Sequence, residues 1–93
     1  MAVNEEQLDR VLRALSDPTR RRLLGLIGRE PGLSTSELAR RIENMSRWGV
    51  MKHLVVLEAA DLIQSMPEGR NTRHFSERQV LESLRSWIAS QPG

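Results

Sequence analysis

Cationic and aromatic side chains gather in one stretch near the middle of the chain. The stretch from Arg40 to His53 holds four cations and a single acid, Glu43. Two of these cations, Arg47 and Lys52, flank Trp48. Thirteen of the chain's fourteen cations are arginine, whose planar fork suits phosphate and the edge of guanine, and a lysine suits phosphate as a point charge. The stretch therefore predicts binding to double-stranded DNA.

A helix is predicted to carry this stretch. Val50, Leu54 and Leu57 recur at the spacing of one helical face, so they mark its buried side. Ser46 is placed to cap the helix, which puts Arg47 in the first turn, where the positive end of the helix faces phosphate. The side chains expected to contact DNA from this helix are Ser46, Arg47, Trp48, Met51, Lys52 and His53.

Trp48 leaves two interpretations open. A large aromatic side chain exposed beside a cation marks an interface, but the ring could instead fold back into the core. An exposed ring also suits an alternative function, a winged-helix protein-interaction module that docks through Trp48, Met51 and Val55. A solvated basic face is the plainest interpretation of the arginines. His53 is expected to hydrogen-bond the backbone or a phosphate rather than a metal, and His74 to be a solvated strand residue.

Caps and breaks predict three helices before this one. The first runs from Glu5 to Leu15, with Val3 as a hydrophobic staple, and the second from Pro18 to Gly28. A short third helix and the longer fourth helix make a helix-turn-helix over about residues 34–60. The residues placed to cap the first three helices are Asn4, Asp17 and Ser34.

A β-hairpin is predicted after the fourth helix. Its strands are Ile63–Met66 and Thr72–Phe75, within a wing over about residues 62–76. Arg70 at the tip and Arg73 on the return strand lie where a wing reaches the minor groove or the phosphate backbone. Both arginines are therefore expected to contact DNA.

Ser76 and Gln79 predict a capping box for a fifth helix that runs to about Ser90. The apolar stripe from Val80 to Ile88 exceeds what a three-helix core requires, and a domain this short buries only about two-thirds of its unfolded surface. Both facts favour pairing with a second copy. The order of elements predicts a mainly α (α+β) fold: a single winged helix-turn-helix domain of residues 1–93, with a two-stranded wing between helices four and five.

Several function classes are excluded by what the sequence lacks. It has no cysteine, no carboxylate pair or Ser/His/Asp set, and no glycine-rich phosphate loop, so no enzyme and no cofactor is predicted. No apolar run approaches the length of a membrane span. Glu5, Glu6 and Asp9 stand where a signal peptide needs positive charge, so a cytoplasmic location is expected.

Four stretches, at their observed spacing, resemble the ArsR/SmtB-type family of bacterial winged-helix repressors. The resemblance extends from about Leu8 to Ile88, and the second and third stretches together carry most of its specificity. The four stretches are Leu15–Arg21, Leu33–Ala39, Met45–Leu54 and Glu68–Arg70.

The resemblance implies a homodimer that represses transcription. Its two fourth helices would enter successive major grooves of a pseudo-palindromic operator, with a wing beside each. The family builds its dimer interface from the first and last helices, here about residues 5–15 and 77–90. The dimer contacts implied in this chain are Leu8, Val11, Leu12, Leu81, Leu84, Trp87 and Ile88.

Departures from the family pattern bear on regulation. Metal sensors of the family carry cysteines in the third helix, where this chain has Ala39 and Arg41, or Asp and His on the last helix, which here has neither. No metal site is therefore expected. Asp61 replaces the glycine common after the fourth helix. An effector, small molecule or protein, is left unidentified, and the interface of helices one and five near Trp87 is its expected place.

Overall fold

The structure is a computed structural model that describes residues 4–93, so the predicted staple at Val3 lies outside the described residues. The described part of the chain is mainly α, with a small antiparallel sheet, and the winged helix-turn-helix with its wing between the fourth and fifth helices is confirmed. The elements in order are α1 (Glu5–Leu15), α2 (Pro18–Arg29), β1 (Leu33–Ser34), α3 (Thr35–Arg41), α4 (Arg47–Ala59), β2 (Ile63–Glu68), β3 (Asn71–Ser76) and α5 (Arg78–Ala89).

Side-chain caps begin the first four helices as the sequence predicts. The cap oxygens of Asn4, Asp17, Ser34 and Ser46 each accept a hydrogen bond, 2.8 to 3.1 Å long, from the backbone N–H three residues on. Glu37 completes a capping box by accepting the Ser34 N–H at 2.9 Å. These bonds satisfy donors that the helix itself leaves free, so short local motifs fix where the helices start.

α5 begins differently from its prediction. Ser76 still pairs with Ile63 in the sheet, so it cannot cap a helix, and the predicted capping box is wrong. Glu77 is the cap instead, and its carboxylate accepts the N–H of Gln79 at 3.2 Å. The strand therefore runs directly into the last helix through a single residue.

The end of α4 is set by a residue in the left-handed region. Asp61 has φ 58°, and its N–H donates to the Glu58 carbonyl at 3.0 Å. The N–H of Leu62 reaches back to the Leu57 carbonyl, also at 3.0 Å, which completes the Schellman pattern that usually places glycine at this position. An aspartate therefore holds a conformation that costs an L-residue free energy.

The sheet has three strands rather than the predicted two. β3 lies in the middle, antiparallel to both neighbours, in the order β1-β3-β2. The missing strand, Leu33–Ser34, pairs with Arg73 and His74. Two residues are too short to show a strand period, and their partners lie about 40 positions away, so no local signal announces this strand. Its pairing joins the base of the wing to the start of α3.

A single apolar core holds the helices together. Leu23 and Ile27 of α2, Leu38 of α3 and Leu57 of α4 have no exposed surface. Burial of a side chain of this size stabilises a fold by about 1.5–3 kcal/mol. The core therefore fixes α4 against α2 and α3. No helix within residues 4–93 is long and apolar enough to cross a membrane.

His74 is buried, which contradicts its prediction as a solvated strand residue. Only 3% of the residue is exposed. Its Nε2 lies 2.8 Å from the Thr35 hydroxyl and its Nδ1 2.9 Å from the Ser65 hydroxyl, so the ring links α3 to both strands of the wing. Burial lowers the pKa of His74, and the nearby negative charge of Glu58 opposes that effect. The imidazole is thus kept neutral in the folded protein.

We expect the free energy of unfolding to fall as the pH is lowered through the ordinary histidine range. Because the pKa of His74 is lower in the folded than in the unfolded chain, its contribution is complete above about pH 6.5 and is lost below it, at most about 1.4 kcal/mol per pH unit. Urea denaturation between pH 8 and 5.5 measures this. His74→Gln keeps hydrogen-bonding groups but does not titrate, so its stability should fall less steeply than that of the wild type; equal slopes would contradict the assignment.

Asp61→Gly should stabilise the fold by about 0.5–1 kcal/mol, because glycine adopts the left-handed conformation without steric cost. Glu58→Gly is the matched control: this exposed residue lies in the right-handed last turn of α4, where glycine destabilises by a similar amount. Thermal denaturation of the two variants should therefore shift the melting temperature in opposite directions. A lower melting temperature for Asp61→Gly would show that the aspartate side chain stabilises the fold by more than the left-handed backbone conformation destabilises it.

Candidate nucleic-acid interface

The outward face of α4 follows from its buried face. Val50 and Leu54 pack in the core, whereas Trp48, Met51 and Lys52 lie outside this buried stripe and are exposed. Trp48 is 65% exposed and Met51 is 42% exposed. The interpretation in which the Trp48 ring folds back into the core is therefore wrong. A large aromatic side chain is presented to solvent on a rigid helix.

Lys52 lies directly over the Trp48 ring. Its ammonium nitrogen is 3.9 Å from the ring centroid, one helical turn further along α4. A cation over an exposed aromatic face is worth about 0.5–1 kcal/mol, enough to favour one orientation of a long flexible side chain. The pair forms a cationic and aromatic surface of defined shape.

The first turn of α4 is open to a ligand. Ser46 caps it, and Arg47 is exposed with no hydrogen-bond or ion-pair partner among residues 4–93. Gly49 also has a packing role here, since a Cβ at this position would lie 3.1 Å from Cγ of Met45. Met45 can therefore pack across the turn from the core side. The helix start carries positive charge both from its backbone and from Arg47.

His53 faces α2 instead of projecting like its neighbours. Its Nδ1 lies 3.3 Å from Nη1 of Arg20 and 3.9 Å from Oδ2 of Asp17. The backbone hydrogen bond from Arg20 is the main reason that the pKa of Asp17 is lowered, and the charges of His53 and Arg20 add to it. Sequence reasoning missed Arg20, because its partner on α4 is 33 positions away and no local pattern connects them.

The two arginines of the wing differ. Arg70 is exposed in the turn between β2 and β3, beside Gly69. The partly exposed Arg73 is bonded within the chain: its Nη1 donates to the Gly32 carbonyl at 2.8 Å and its Nε to the Glu68 carboxylate at 3.0 Å. Glu37 lies 3.7 Å from the same guanidinium. The bond to Gly32 holds the wing to the segment before β1, so Arg73 has fewer donors left for DNA than Arg70, and its DNA contact stays a prediction.

The basic stretch is less charged than the sequence count indicates. Arg41 forms an ion pair with Glu30, which lies outside the counted stretch, and this contact is the main cause of the lowered pKa of Glu30. Arg40 is exposed and has no ion pair within residues 4–93. The free positive charge is thus concentrated at Arg40, Arg47 and Lys52.

Only part of the implied dimer surface is available to a partner. Leu8, Val11 and Leu84 lie in the chain's own core, with 6%, 0% and 9% of their surface exposed. The prediction that these three side chains contact a partner directly is corrected, because the chain's own fold already covers them. Leu12 and Ile88 are 47% and 59% exposed. The partly buried side chains of Leu81 and Trp87 lie against the core on the same helix as Ile88.

An effector was expected between α1 and α5 near Trp87. The structure has a cleft beside these two helices, but Trp87 does not line it. That cleft, of about 280 Å³, is lined mainly by polar side chains, including those of Gln7 and Gln79. A second cleft, of about 510 Å³, lies between α2 and α5 beside Leu24 and Leu81. Within residues 4–93 no group of three or more His, Asp or Glu side chains is arranged to hold a metal ion.

Known proteins share this arrangement of elements. The family model of a helix-turn-helix domain matches residues 15–65. A crystal structure of an ArsR family transcriptional regulator is 34% identical and superimposes with a TM-score of 0.86, covering 98% of this chain and 92% of that one.

Two relatives come from Bacillus subtilis (strain 168). The uncharacterized HTH-type transcriptional regulator YuzN is 31% identical over 86 residues, which cover 86% of this chain and 94% of that protein. The transcriptional repressor SdpR is 27% identical over 81 residues, or 87% of this chain and 88% of that protein. The similarity thus spans nearly the whole length of each relative.

Proposed function

Because this chain belongs to the ArsR family of winged helix-turn-helix transcriptional regulators, which bind DNA and are not enzymes, we propose that it is a homodimeric repressor of a pseudo-palindromic operator. The observation that carries the proposal is the exposed, capped start of α4, with Arg47 beside the stacked Trp48 and Lys52. Bound at its operator in the bacterial cytoplasm, the dimer would block RNA polymerase.

The geometry of α4 supports entry into the major groove. Its 13 residues make a rod about 20 Å long, and a helix of this diameter fits the groove. In this proposal Arg47 reads a guanine with two hydrogen bonds, and Lys52 contacts a phosphate. Arg70 at the tip of the wing would reach the adjacent minor groove or backbone. Ser46, Met51 and His53 complete the proposed contacts of α4 beside Trp48.

Two substitutions should separate base reading from phosphate binding. Arg47→Ala is expected to cost about 1–3 kcal/mol and to relax base preference, whereas Lys52→Ala should weaken all sequences alike. A dimer making about six phosphate contacts gives a slope of log K against log salt near −5, and Lys52→Ala should reduce its size by about one. Fluorescence anisotropy over a salt series, with duplexes selected by the wild type from a random pool, measures both effects.

Arg22→Ala is the matched control, because it removes an exposed positive charge from α2, on the opposite side of that helix from Arg20, which faces α4. Its affinity and salt slope should stay close to those of the wild type. Unchanged affinity and slope in both Arg47→Ala and Lys52→Ala would refute α4 as the recognition helix.

The dimer is proposed from exposed apolar side chains on the two terminal helices. Leu12 of α1 and Ile88 of α5 are about half exposed, and Leu81 and Trp87 extend the apolar surface of α5. Covering such side chains gains about 25 cal/mol per Å² of apolar surface. A symmetric pairing of these helices would place two α4 helices on one side of the assembly, as a pseudo-palindromic site requires.

Ile88→Glu should convert the dimer to a monomer, because each interface would then have to bury two uncompensated carboxylates. Sedimentation velocity measures the change, and affinity for the selected duplex should fall with it. Val55→Glu is the matched control, since Val55 is 65% exposed and also helical but lies on α4. That variant should remain dimeric. A wild-type monomer, or a dimeric Ile88→Glu variant, would overturn this interface.

We propose that regulation does not depend on a metal bound at the positions where metal sensors of the family carry their ligands. Arg41 occupies one of them and is held in an ion pair with Glu30, and Ala39 offers no ligand atom at the other. α5 carries neither aspartate nor histidine. Whatever signal controls operator binding would then act without a metal at these positions.

A protein-docking role is the second candidate, favoured by the exposure of apolar side chains on α4. Trp48 and Val55 are each 65% exposed, and Met51 is 42% exposed. The random-pool selection distinguishes the two functions. Failure to retain any duplex at near-physiological salt, together with a stable protein complex that is lost in a Trp48→Ala variant, would favour docking over operator binding.

A further inference from the structure

We infer that Arg20 is a positioning residue for DNA binding: it holds His53 in the tautomer that offers its Nε2–H to a DNA phosphate. The DNA half of this inference rests on the proposed function of α4. The positioning half concerns the free protein alone and stands on the contacts of one guanidinium.

Arg20, on α2, contacts two other helices at once. Its Nε donates to the Ala14 carbonyl at 2.7 Å, and its Nη2 donates to the Arg13 carbonyl at 3.0 Å. Both carbonyls belong to the last turn of α1, and that of Arg13 also accepts from the N–H and the hydroxyl of Ser16. Its third nitrogen, Nη1, lies 3.3 Å from Nδ1 of His53 on α4. The guanidinium is therefore fixed at two points on α1 while it contacts the recognition helix.

The chemistry of arginine decides the state of the imidazole. A guanidinium has only donors and stays charged, so Nδ1 of His53 must accept through its lone pair. A neutral imidazole that accepts at Nδ1 carries its proton on Nε2. Arg20 thus selects the Nε2–H tautomer.

The selected proton is available to an external acceptor. Nε2 of His53 forms no hydrogen bond or ion pair within the described residues. If it were buried it would be an unpartnered buried nitrogen, and the described part of the chain has none, so Nε2 reaches solvent. His53 lies one position after Lys52, the proposed phosphate contact. An N–H donor at this place suits a phosphate oxygen.

Asp17 provides the competing state. Its Oδ2 is 3.9 Å from Nδ1 of His53, beyond hydrogen-bond distance, so without Arg20 its negative charge would favour a proton on Nδ1, the nitrogen that faces it. Nε2 would then carry a lone pair, which a phosphate cannot bind. Arg20 therefore decides whether His53 attracts or repels the backbone of DNA.

Nitrogen NMR of the free protein tests the positioning half without DNA. Two-bond ¹H–¹⁵N correlations at pH 8 should show the Nε2–H tautomer of His53 in the wild type, and a shift toward the Nδ1–H tautomer in Arg20→Met. A wild type in the Nδ1–H form overturns the inference even if Arg20→Met does not fold. So does an unchanged tautomer in a folded Arg20→Met variant.

Arg21→Met is the matched control. Arg21 also donates to a carbonyl at the end of α1, that of Leu15, at 2.7 Å, but it does not contact α4. Its loss should destabilise the end of α1 to a similar degree and leave the His53 tautomer unchanged. A tautomer shift in Arg21→Met equal to that in Arg20→Met would show that any loosening of α1 has this effect, and would overturn a specific role for Arg20.

Affinity for the duplex selected by the wild type tests the DNA half. Arg20→Met and His53→Ala should each weaken binding about two- to ten-fold per half-site, the worth of one hydrogen bond, and the double variant should be no weaker than either. Additive losses, or a tautomer shift without any loss of affinity, overturn the phosphate contact. If the wild type binds no duplex, the proposed function is refuted, and the contact of His53 with phosphate with it. The NMR result would still decide whether Arg20 positions His53.

Discussion

The burial of one stripe of α4 is the constraint on which the rest of the structure depends. Val50, Leu54 and Leu57 are enclosed by the core, which leaves the helix no freedom to rotate about its own axis. A rotation that brought Trp48 inward would have to expose this stripe and bury a cation. The face that carries Arg47 and Lys52 is therefore outward because of the residues on the opposite side. The orientation of the proposed DNA-binding surface is therefore a consequence of packing.

The arginines of this protein include some that are bonded within the chain and others that remain exposed. Arg20, Arg41 and Arg73 direct their donors at carbonyls, carboxylates or an imidazole within the chain, and so join elements distant in sequence. Arg47 and Arg70 remain exposed. A guanidinium suits both tasks because it forms several hydrogen bonds in a fixed plane. The net charge includes both the bonded and the exposed arginines, so it overstates the positive charge that is free to contact DNA.

The polar interior links the wing to the helix-turn-helix. His74 joins Thr35 at the start of α3 to Ser65 of β2, and Arg73 on the same strand binds the Gly32 carbonyl beside β1. The wing is thus fastened to the element that precedes α4, the proposed recognition helix. Rigid placement of a hairpin relative to a recognition helix is what simultaneous contact with two neighbouring DNA grooves requires.

The sequence by itself determined the helices, the hairpin and the outward position of Arg47, because caps and apolar periodicity act within three or four residues along the chain. The two-residue strand β1, the burial of His74 and the contact of Arg20 with His53 were decided only by the tertiary structure. Each joins residues more than 30 positions apart. Whether a polar side chain faces solvent or a distant partner depends on which segments the fold brings next to it. Residue types and short local patterns do not specify those long-range contacts.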